Sequence, residues 1–256
     1  VHYSDIRGDL SRLIRHFGKP SQRYHPEYPF WYLKSDGVWS VGSPAALGLG
    51  AGGRTPTNRD LLDAEVTGGF KPSVRAALRR SPALVSEVAA SLLESHFPAS
   101  MHGEILAEVG LQLEPTHVHR QPGPRDPKFR TRVLVAYAYA CAVCGCAIRL
   151  RDEVVGLDAA HIKWHQAGGP DEVPNGLALC VMHHKLLDRG AFTLGADHSI
   201  LVSEEVNGAP GAEEWLLDHH GRSARAPKRQ SYAPNPAYLD WHREQVFREP
   251  SLERAG

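Results

Sequence analysis

The chain has 256 residues, 42% of them hydrophobic, which is enough for one large domain or two modest ones with separate cores. Lys plus Arg and Asp plus Glu both number 29, so zero net charge excludes a whole-molecule field for an anionic partner, and any nucleic-acid surface must come from local clustering. No apolar run approaches membrane-spanning length and the start carries no apolar signal region, so no membrane partner and a reducing, cytoplasmic setting are expected.

In chain order, residues 4–17 predict an amphipathic helix capped by Ser4, with Ile6, Leu10, Leu13, Ile14 and Phe17 on one face and Gly18 and Pro20 ending it. The stretch Tyr24-His25-Pro26-Glu27-Tyr28-Pro29-Phe30 reads as an aromatic, proline-punctuated turn. Asp36-Gly37 between apolar runs signals a hairpin. Residues 43–59, rich in Gly, Pro and Thr, read as a loop. Helices are expected over 72–80, over 82–96 behind Ser81 and Pro82, and over 100–109, so a first domain covers 1–113.

Residues 114–130 contain four prolines and read as a basic linker. Arg120, Arg125, Lys128 and Arg130 there, and Arg225, Lys228 and Arg229 farther on, are candidates for phosphate contacts; a solvated linker is the plainer alternative.

Three of the four cysteines fall within six residues, which suits a metal knuckle better than a disulfide framework. Cys141-x₂-Cys144 and Cys180-x₂-His183 have equal spacing, and two such turns wrap one tetrahedral Zn²⁺. A closed Cys₃His site is structural, and it would brace a segment too small to stand on its apolar surface alone. Cys146 remains unassigned.

Between the pairs, a strand over 154–158 leads to His161, a Gly/Pro loop follows, and Asn175 precedes a segment running to Arg189. His184 and Asp188 are four residues apart, hence on one helical face. A cation on that face would stabilise phosphate charge while a neutral imidazole takes the proton of attacking water. Asn175 would hold the loop that carries His161. His165 looks incidental, and Asp188 has the alternative role of ending its helix.

These motifs, Cys-x₂-Cys, Ala-His-Ile, Asn-Gly-Leu-Ala-Leu-Cys-x₂-His-His and Leu-Leu-Asp-Arg-Gly-Ala-Phe-Thr, resemble the zinc-knuckle branch of the HNH (ββα-metal) endonuclease family over roughly residues 133–203. The resemblance implies His161 as general base, Asn175 as the orienting residue and His184 as a ligand of a catalytic Mg²⁺ or Mn²⁺. Two positions depart from it. Ala160 stands where a metal-ligating Asp or His is common, leaving Asp158 or Asp188 as substitutes, and His183 stands where a second knuckle cysteine is usual.

The order Tyr24 to Trp31, Asp36-Gly37-Val38-Trp39, Gly68-Gly69-Phe70 and Leu92 to Pro98 resembles the sulfur-binding domain of phosphorothioate-dependent, McrA-like restriction endonucleases, as does Trp241 to Phe247. That resemblance implies an enzyme that cuts double-stranded DNA near a phosphorothioate. Sulfur is larger, more polarizable and a weaker hydrogen-bond acceptor than oxygen, so a selective pocket needs apolar walls beside a positive group. Arg23, Tyr24, His25, Pro26, Tyr28 and Pro29, with Gly68, Gly69 and Phe70, are the candidates; a packed aromatic turn, and a plain turn at Gly68-Gly69, compete with that role.

The expected fold class is α+β: a mostly helical reader with a small hairpin over 1–113, a linker over 114–130, a zinc-knuckle ββα-metal domain over 131–205, and a C-terminal extension over 206–256 packing on it. Cutting both strands calls for a homodimer. The alternatives are an HNH enzyme reading methylcytosine and a DNA-binding protein with a vestigial nuclease site.

Overall fold

The computed structural model describes residues 1–42, 47, 55–113, 126–208 and 211–253. Most of the expected loop 43–59 and of the linker 114–130, with Arg120 and Arg125, lies outside the described residues. Mixed α and β structure is present as expected, with helices dominating the N-terminal part and strands confined to short antiparallel pairs. The chain forms two compact units, Val1–Ala90 with Ile105–Val118, and Ser91–Glu104 with His119–Gly256.

In the first unit, helix α1 (Tyr3–Phe17) begins one residue before the expected span, with its cap at His2 instead of Ser4. His2 donates its backbone N–H to Asp5 at 3.1 Å and takes the capping role instead, which lets Tyr3 bury. The proline-punctuated stretch is a helix, not a turn: α2 (Glu27–Tyr32) follows Pro26 and holds Pro29 in its first turn, where a missing N–H costs nothing. A 3₁₀ turn, Leu33–Asp36, continues it and ends at Gly37 with φ +76°. Asp36-Gly37 therefore terminates a helical segment and does not turn a hairpin.

Strand β1 (Trp39–Val41) pairs antiparallel with a distant partner, β2 (Gly68–Phe70), in the register Trp39↔Phe70 and Val41↔Gly68. Gly68-Gly69 is thus strand, not turn. A Cβ at Gly68 would lie 2.7 Å from the Trp39 ring and 2.8 Å from the Phe30 ring, so glycine lets the aromatic core close against the strand. That core holds Tyr3, Phe30, Trp31, Trp39, Leu61 and Val66, with edge-to-face pairs Tyr3–Phe30 and Phe30–Trp39 at 5.0 and 5.8 Å. Within the expected loop, Thr57 and Asp60 cap each other's N–H groups to start α3 (Asn58–Asp63). Helices α4 (Pro72–Arg80), α5 (Pro82–His96) and α6 (Ala99–Glu108) form as predicted, and Ser81 Oγ accepts the Leu84 N–H at 3.1 Å.

The second unit is built around α7 (Phe129–Ala136), which ends just ahead of Ala138 and Tyr139, both at positive φ. A short hairpin, β3 (Arg149–Leu150) and β4 (Glu153–Val154), precedes β5 (Leu157–His161), which Gly156 at φ +68° separates from β4. Strand β6 (Gly176–Cys180) pairs antiparallel with β5 and runs directly into α8 (Val181–Asp188). Strands β7 (Phe192–Leu194) and β8 (Ile200–Val202) form a second hairpin, followed by α9 (Ala212–Trp215) and α10 (Pro236–Gln245). One apolar cluster, including Val133, Tyr137, Leu157, Leu177, Leu179, Leu187, Phe192 and Leu239, fuses these elements. Every residue of β6 is buried, so its side chains need no alternation of polarity. No helix among the described residues is long and apolar enough to cross a membrane.

Candidate functional site

Two local devices assemble the cysteine cluster. The turn after α7 closes through Cys141 N–H to Cys146 carbonyl and Gly145 N–H to Cys141 carbonyl, both 2.9 Å, and Ala142 N–H ties the turn to Ala178 of β6 at 2.7 Å. Cys180 ends β6 as the cap of α8, and His183 occupies that helix's first turn. The donor atoms of Cys141, Cys144, Cys180 and His183 all lie within 4.8 Å of one another, and all the cysteines are free thiols. Tetrahedral coordination with bonds of about 2.3 Å puts donors roughly 3.7 Å apart. His183 Nδ1, 3.1 Å from Cys180 Sγ and 3.6 Å from Cys141 Sγ, suits that geometry.

Hydrogen bonding from Cys180 outweighs burial and lowers the Cys141 thiol, while donating to Cys141 pushes Cys180 up. One thiolate is thus favoured before any cation enters, and a bound divalent ion would stabilise the others. Among the described residues no other group of three or more His, Cys, Asp or Glu side chains is compact enough to hold an ion by itself. Cys146 stands outside the cluster.

A second centre lies in an open cleft of about 500 Å³ in the same unit, lined by Asp158, His161, His165, Asp171, His184 and Asp188 among others. His161 ends β5 opposite Gly176 of β6. A Cβ on Gly176 would sit 2.5 Å from Val133 and 3.1 Å from Phe129; without one, Phe129 stacks on the His161 ring at 4.2 Å and 18°. His161 Nε2 meets Asp171 Oδ1 at 2.8 Å. Asn175 is fully buried and ties the intervening loop: Oδ1 accepts the Lys163 N–H at 2.8 Å, and Nδ2 donates to the Lys163 and Pro170 carbonyls at 3.0 Å.

On the helix side, His184 lies between two carboxylates, with Nδ1 3.8 Å from Asp158 and Nε2 3.4 Å from Asp188. Asp188, at the end of α8, is buried and also accepts a hydrogen bond from Ser100 of α6. Asp158, His184 and Asp188 share the cleft but do not converge on one point, because each histidine nitrogen faces a different carboxylate. His165 is not incidental to position: its ring meets His161 edge-on at 5.9 Å.

The basic candidates divide by what they touch. Arg130 pairs with Asp158 at 3.1 Å and donates to the Leu157 carbonyl at 2.7 Å. Lys128 precedes α7 with an exposed side chain. Arg225 and Lys228 hold the fold through their backbone N–H groups, on the carbonyls of Ala142 and Ala136 at 2.8 Å, and leave their side chains exposed. The Arg229 guanidinium lies over the Tyr232 ring.

In the first unit, His25 stacks on exposed Tyr28 at 4.5 Å and 9°, and its Nδ1 meets buried Glu27 at 2.7 Å. Arg15 lies over the Tyr24 ring, Arg23 and Pro29 are exposed, Pro26 is buried, and Phe70 is exposed at the end of β2. Phe30, Trp31 and Trp39 went to the core while Tyr28 and Tyr32 stayed at the surface, so the aromatic stretch is partly packing and partly accessible.

Two family models match the sequence: the ScoMcrA-like DNA sulfur-binding domain over residues 1–114, and the HNH endonuclease over residues 141–195. The two matches place a sequence similar to a DNA sulfur-binding domain ahead of one similar to an HNH endonuclease.

Solved structures similar to parts of it include a modification-dependent TagI restriction endonuclease, 23% identical over 48% of this chain and 39% of that one, with a TM-score of 0.35. Another is the type IV phosphorothioation-dependent restriction endonuclease ScoMcrA, 24% identical over 44% of this chain and 24% of that one, again with a TM-score of 0.35. The chain therefore spans less than half the length of either. A comparison with curated proteins returned no match.

The HNH match contains the cysteine cluster, His161, Asp171, Asn175, His184 and Asp188, and leaves out several residues the geometry recruits. Phe129 and Arg130 precede it, Ser100 lies far upstream, and the carbonyl of Trp215, which accepts from His183 Nε2 at 2.7 Å, lies beyond it. Sequence reasoning missed Asp171, Ser100, Phe129 and Trp215. Only Asp171, an acid in the loop ahead of Asn175, carried any local signal.

Proposed function

We propose that the chain is a modification-dependent type IV restriction endonuclease that recognises phosphorothioated double-stranded DNA and hydrolyses phosphodiester bonds nearby. The observation that carries the proposal is that the strand-borne His161 and the helix-borne His184 and Asp188 line one open cleft, inside a domain of the HNH family.

Cys141, Cys144, Cys180 and His183 would hold a structural Zn²⁺, since thiolates with one imidazole in tetrahedral array suit that ion. His184 with Asp158 or Asp188 would hold a catalytic Mg²⁺ or Mn²⁺, the oxygen and imidazole donors being of the right kind. When bound, that ion supplies charge stabilisation to the scissile phosphate and the departing oxygen. The remaining work belongs to the chain. His161 takes the proton of the attacking water, Asn175 fixes the loop behind it, and Phe129 holds the ring plane. Lys128, Arg130, Arg225, Lys228 and Arg229, with Arg120 and Arg125, would meet the DNA backbone.

Arg23, Tyr24, His25, Pro26, Tyr28 and Pro29, with Gly68, Gly69 and Phe70, would form the reader, where exposed aromatic and proline faces beside basic groups suit a polarizable anionic sulfur. A single such cleft among the described residues, and two strands to cut, favour a homodimer. Incubating the protein with phosphorothioated and ordinary duplexes plus Mn²⁺ tests both halves. Cleavage of the sulfur-bearing duplex alone, abolished by His161→Ala, is expected; equal cleavage of both duplexes removes the reader.

A second reading has its own support. Ala160 occupies a usual ligand position, and Asp158, His184 and Asp188 do not converge. A wild-type protein that binds the sulfur-bearing duplex yet cuts nothing with any divalent ion would make this a DNA-binding protein with a vestigial site.

A further inference from the structure

We infer that Asp171 is the positioning residue of His161, holding the Nε2–H tautomer so that the Nδ1 lone pair is the one that takes a proton. The inference rests on the nuclease reading and deepens it. Asp171 Oδ1 lies 2.8 Å from His161 Nε2, and a carboxylate only accepts, so the shared proton belongs to the imidazole.

The aspartate is itself held in place. Its other oxygen accepts the Asp126 N–H at 2.6 Å, and its backbone carbonyl accepts from Arg132 at 2.7 Å. Arg132 is anchored in turn by the Asp126 carboxylate, 2.7 Å away. Partial burial works against the ionised form of Asp171, but the Asp126 N–H and His161 together hold it below the usual carboxylate range. Phe129 thus fixes the ring's plane and Asp171 fixes one of its nitrogens.

The other charged or titratable groups lining the cleft are Asp126, which pairs with Arg132, His165 beside His161, Arg130 with Asp158 on the strand side, and His184, Lys185 and Asp188 on α8. Of the cleft's groups, the carboxylate in contact with His161 Nε2 is that of Asp171.

Asp171→Asn is the informative change. An amide has one acceptor, so it cannot satisfy both the His161 and Asp126 N–H groups that the carboxylate serves. The experiment records ¹⁵N spectra of histidine-labelled protein, with His161 assigned by loss of its signals in His161→Ala, alongside nicking kinetics on a phosphorothioated plasmid. The expected wild-type spectrum shows His161 protonated on Nε2. In Asp171→Asn the ¹⁵N pattern moves toward the Nδ1–H form and kcat falls about 100-fold while KM stays within about twofold.

A wild-type His161 protonated on Nδ1 overturns the inference without any variant, so it survives no folding failure by default. An unchanged tautomer in Asp171→Asn overturns it whatever the activity, and so does a changed tautomer with wild-type kcat. Failure of the nuclease reading looks different: His161→Ala then cuts as fast as wild type, or nothing cuts, while the tautomer assignment stands or falls on the spectrum alone.

Discussion

His183 Nε2 donates to the main-chain carbonyl of Trp215 at 2.7 Å, which leaves Nδ1 turned toward the thiols of Cys141 and Cys180. A residue of α9, well outside the motif, thus decides which imidazole nitrogen is offered to a metal, the role commonly played by a backbone carbonyl behind a ligating histidine.

The knuckle should therefore behave as a structural metal site. One Zn²⁺ per chain is expected by elemental analysis of purified protein, and chelation should unfold the second unit, seen as loss of its cooperative melting transition. Cys146→Ser should retain the metal; His183→Ala should lose it.

His242 is completely buried, with Nδ1 2.9 Å from the Thr193 hydroxyl and Nε2 3.1 Å from the Leu187 carbonyl. Burial lowers its pKa from 6.5 to about 4, the Leu187 carbonyl opposing. Between those values the unfolded chain binds a proton that the folded chain does not, so stability contributed by neutral His242 is complete above pH 6.5 and is lost as pH falls toward 4. The loss should reach about 3 kcal/mol. Urea midpoints from pH 4 to 7 should slope accordingly in wild type and flatten over that window in His242→Gln.

Asn175→Ala removes the partner of three backbone groups in a buried loop. A destabilisation of about 3 kcal/mol in urea unfolding is expected, since buried polar groups left unpaired cost roughly 1–3 kcal/mol each and solvent recovers part of it. Cleavage should fall as well, because the same loop carries Asp171.

Gly176→Ala places a methyl group 2.5 Å from Val133 and 3.1 Å from Phe129. Overpacking of this kind costs about 1–3 kcal/mol. Phe129 must shift, and with it the ring of His161, so nicking should slow more than DNA binding weakens. Equal losses in both assays would show that the Phe129–His161 stack does not matter to the chemistry.

Tyr28 is 44% exposed and contributes no buried core, so Tyr28→Ala should move the melting temperature by no more than about 2 °C. Affinity for a phosphorothioated duplex, measured by fluorescence anisotropy, is nevertheless expected to fall about tenfold, with affinity for an ordinary duplex unchanged. Unaltered affinity for both would take this surface out of the reader.

Some of this was legible before any coordinates. The equal spacing of Cys141-x₂-Cys144 and Cys180-x₂-His183 is a local property, because two residues between donors permit a tight turn in almost any context, and the four donors do meet. Helix α5 announced itself through Ser81 and Pro82, whose preferences act within one turn. Asp36-Gly37 misled because a positive φ at glycine ends a helix as readily as it turns a hairpin.

What the sequence determined by itself, then, was chemistry fixed at short range: which donors could share an ion, which histidine, asparagine and histidine stood in order, and where helices start. Only the tertiary structure decided which groups those residues face. The strand that pairs with β1, the carboxylate on His161, the hydroxyl on Asp188 and the carbonyl behind His183 come from segments far from their partners in the chain, or from across a loop. Such partners are selected by packing of the whole unit, a free energy summed over many buried contacts and carried by no single residue pattern.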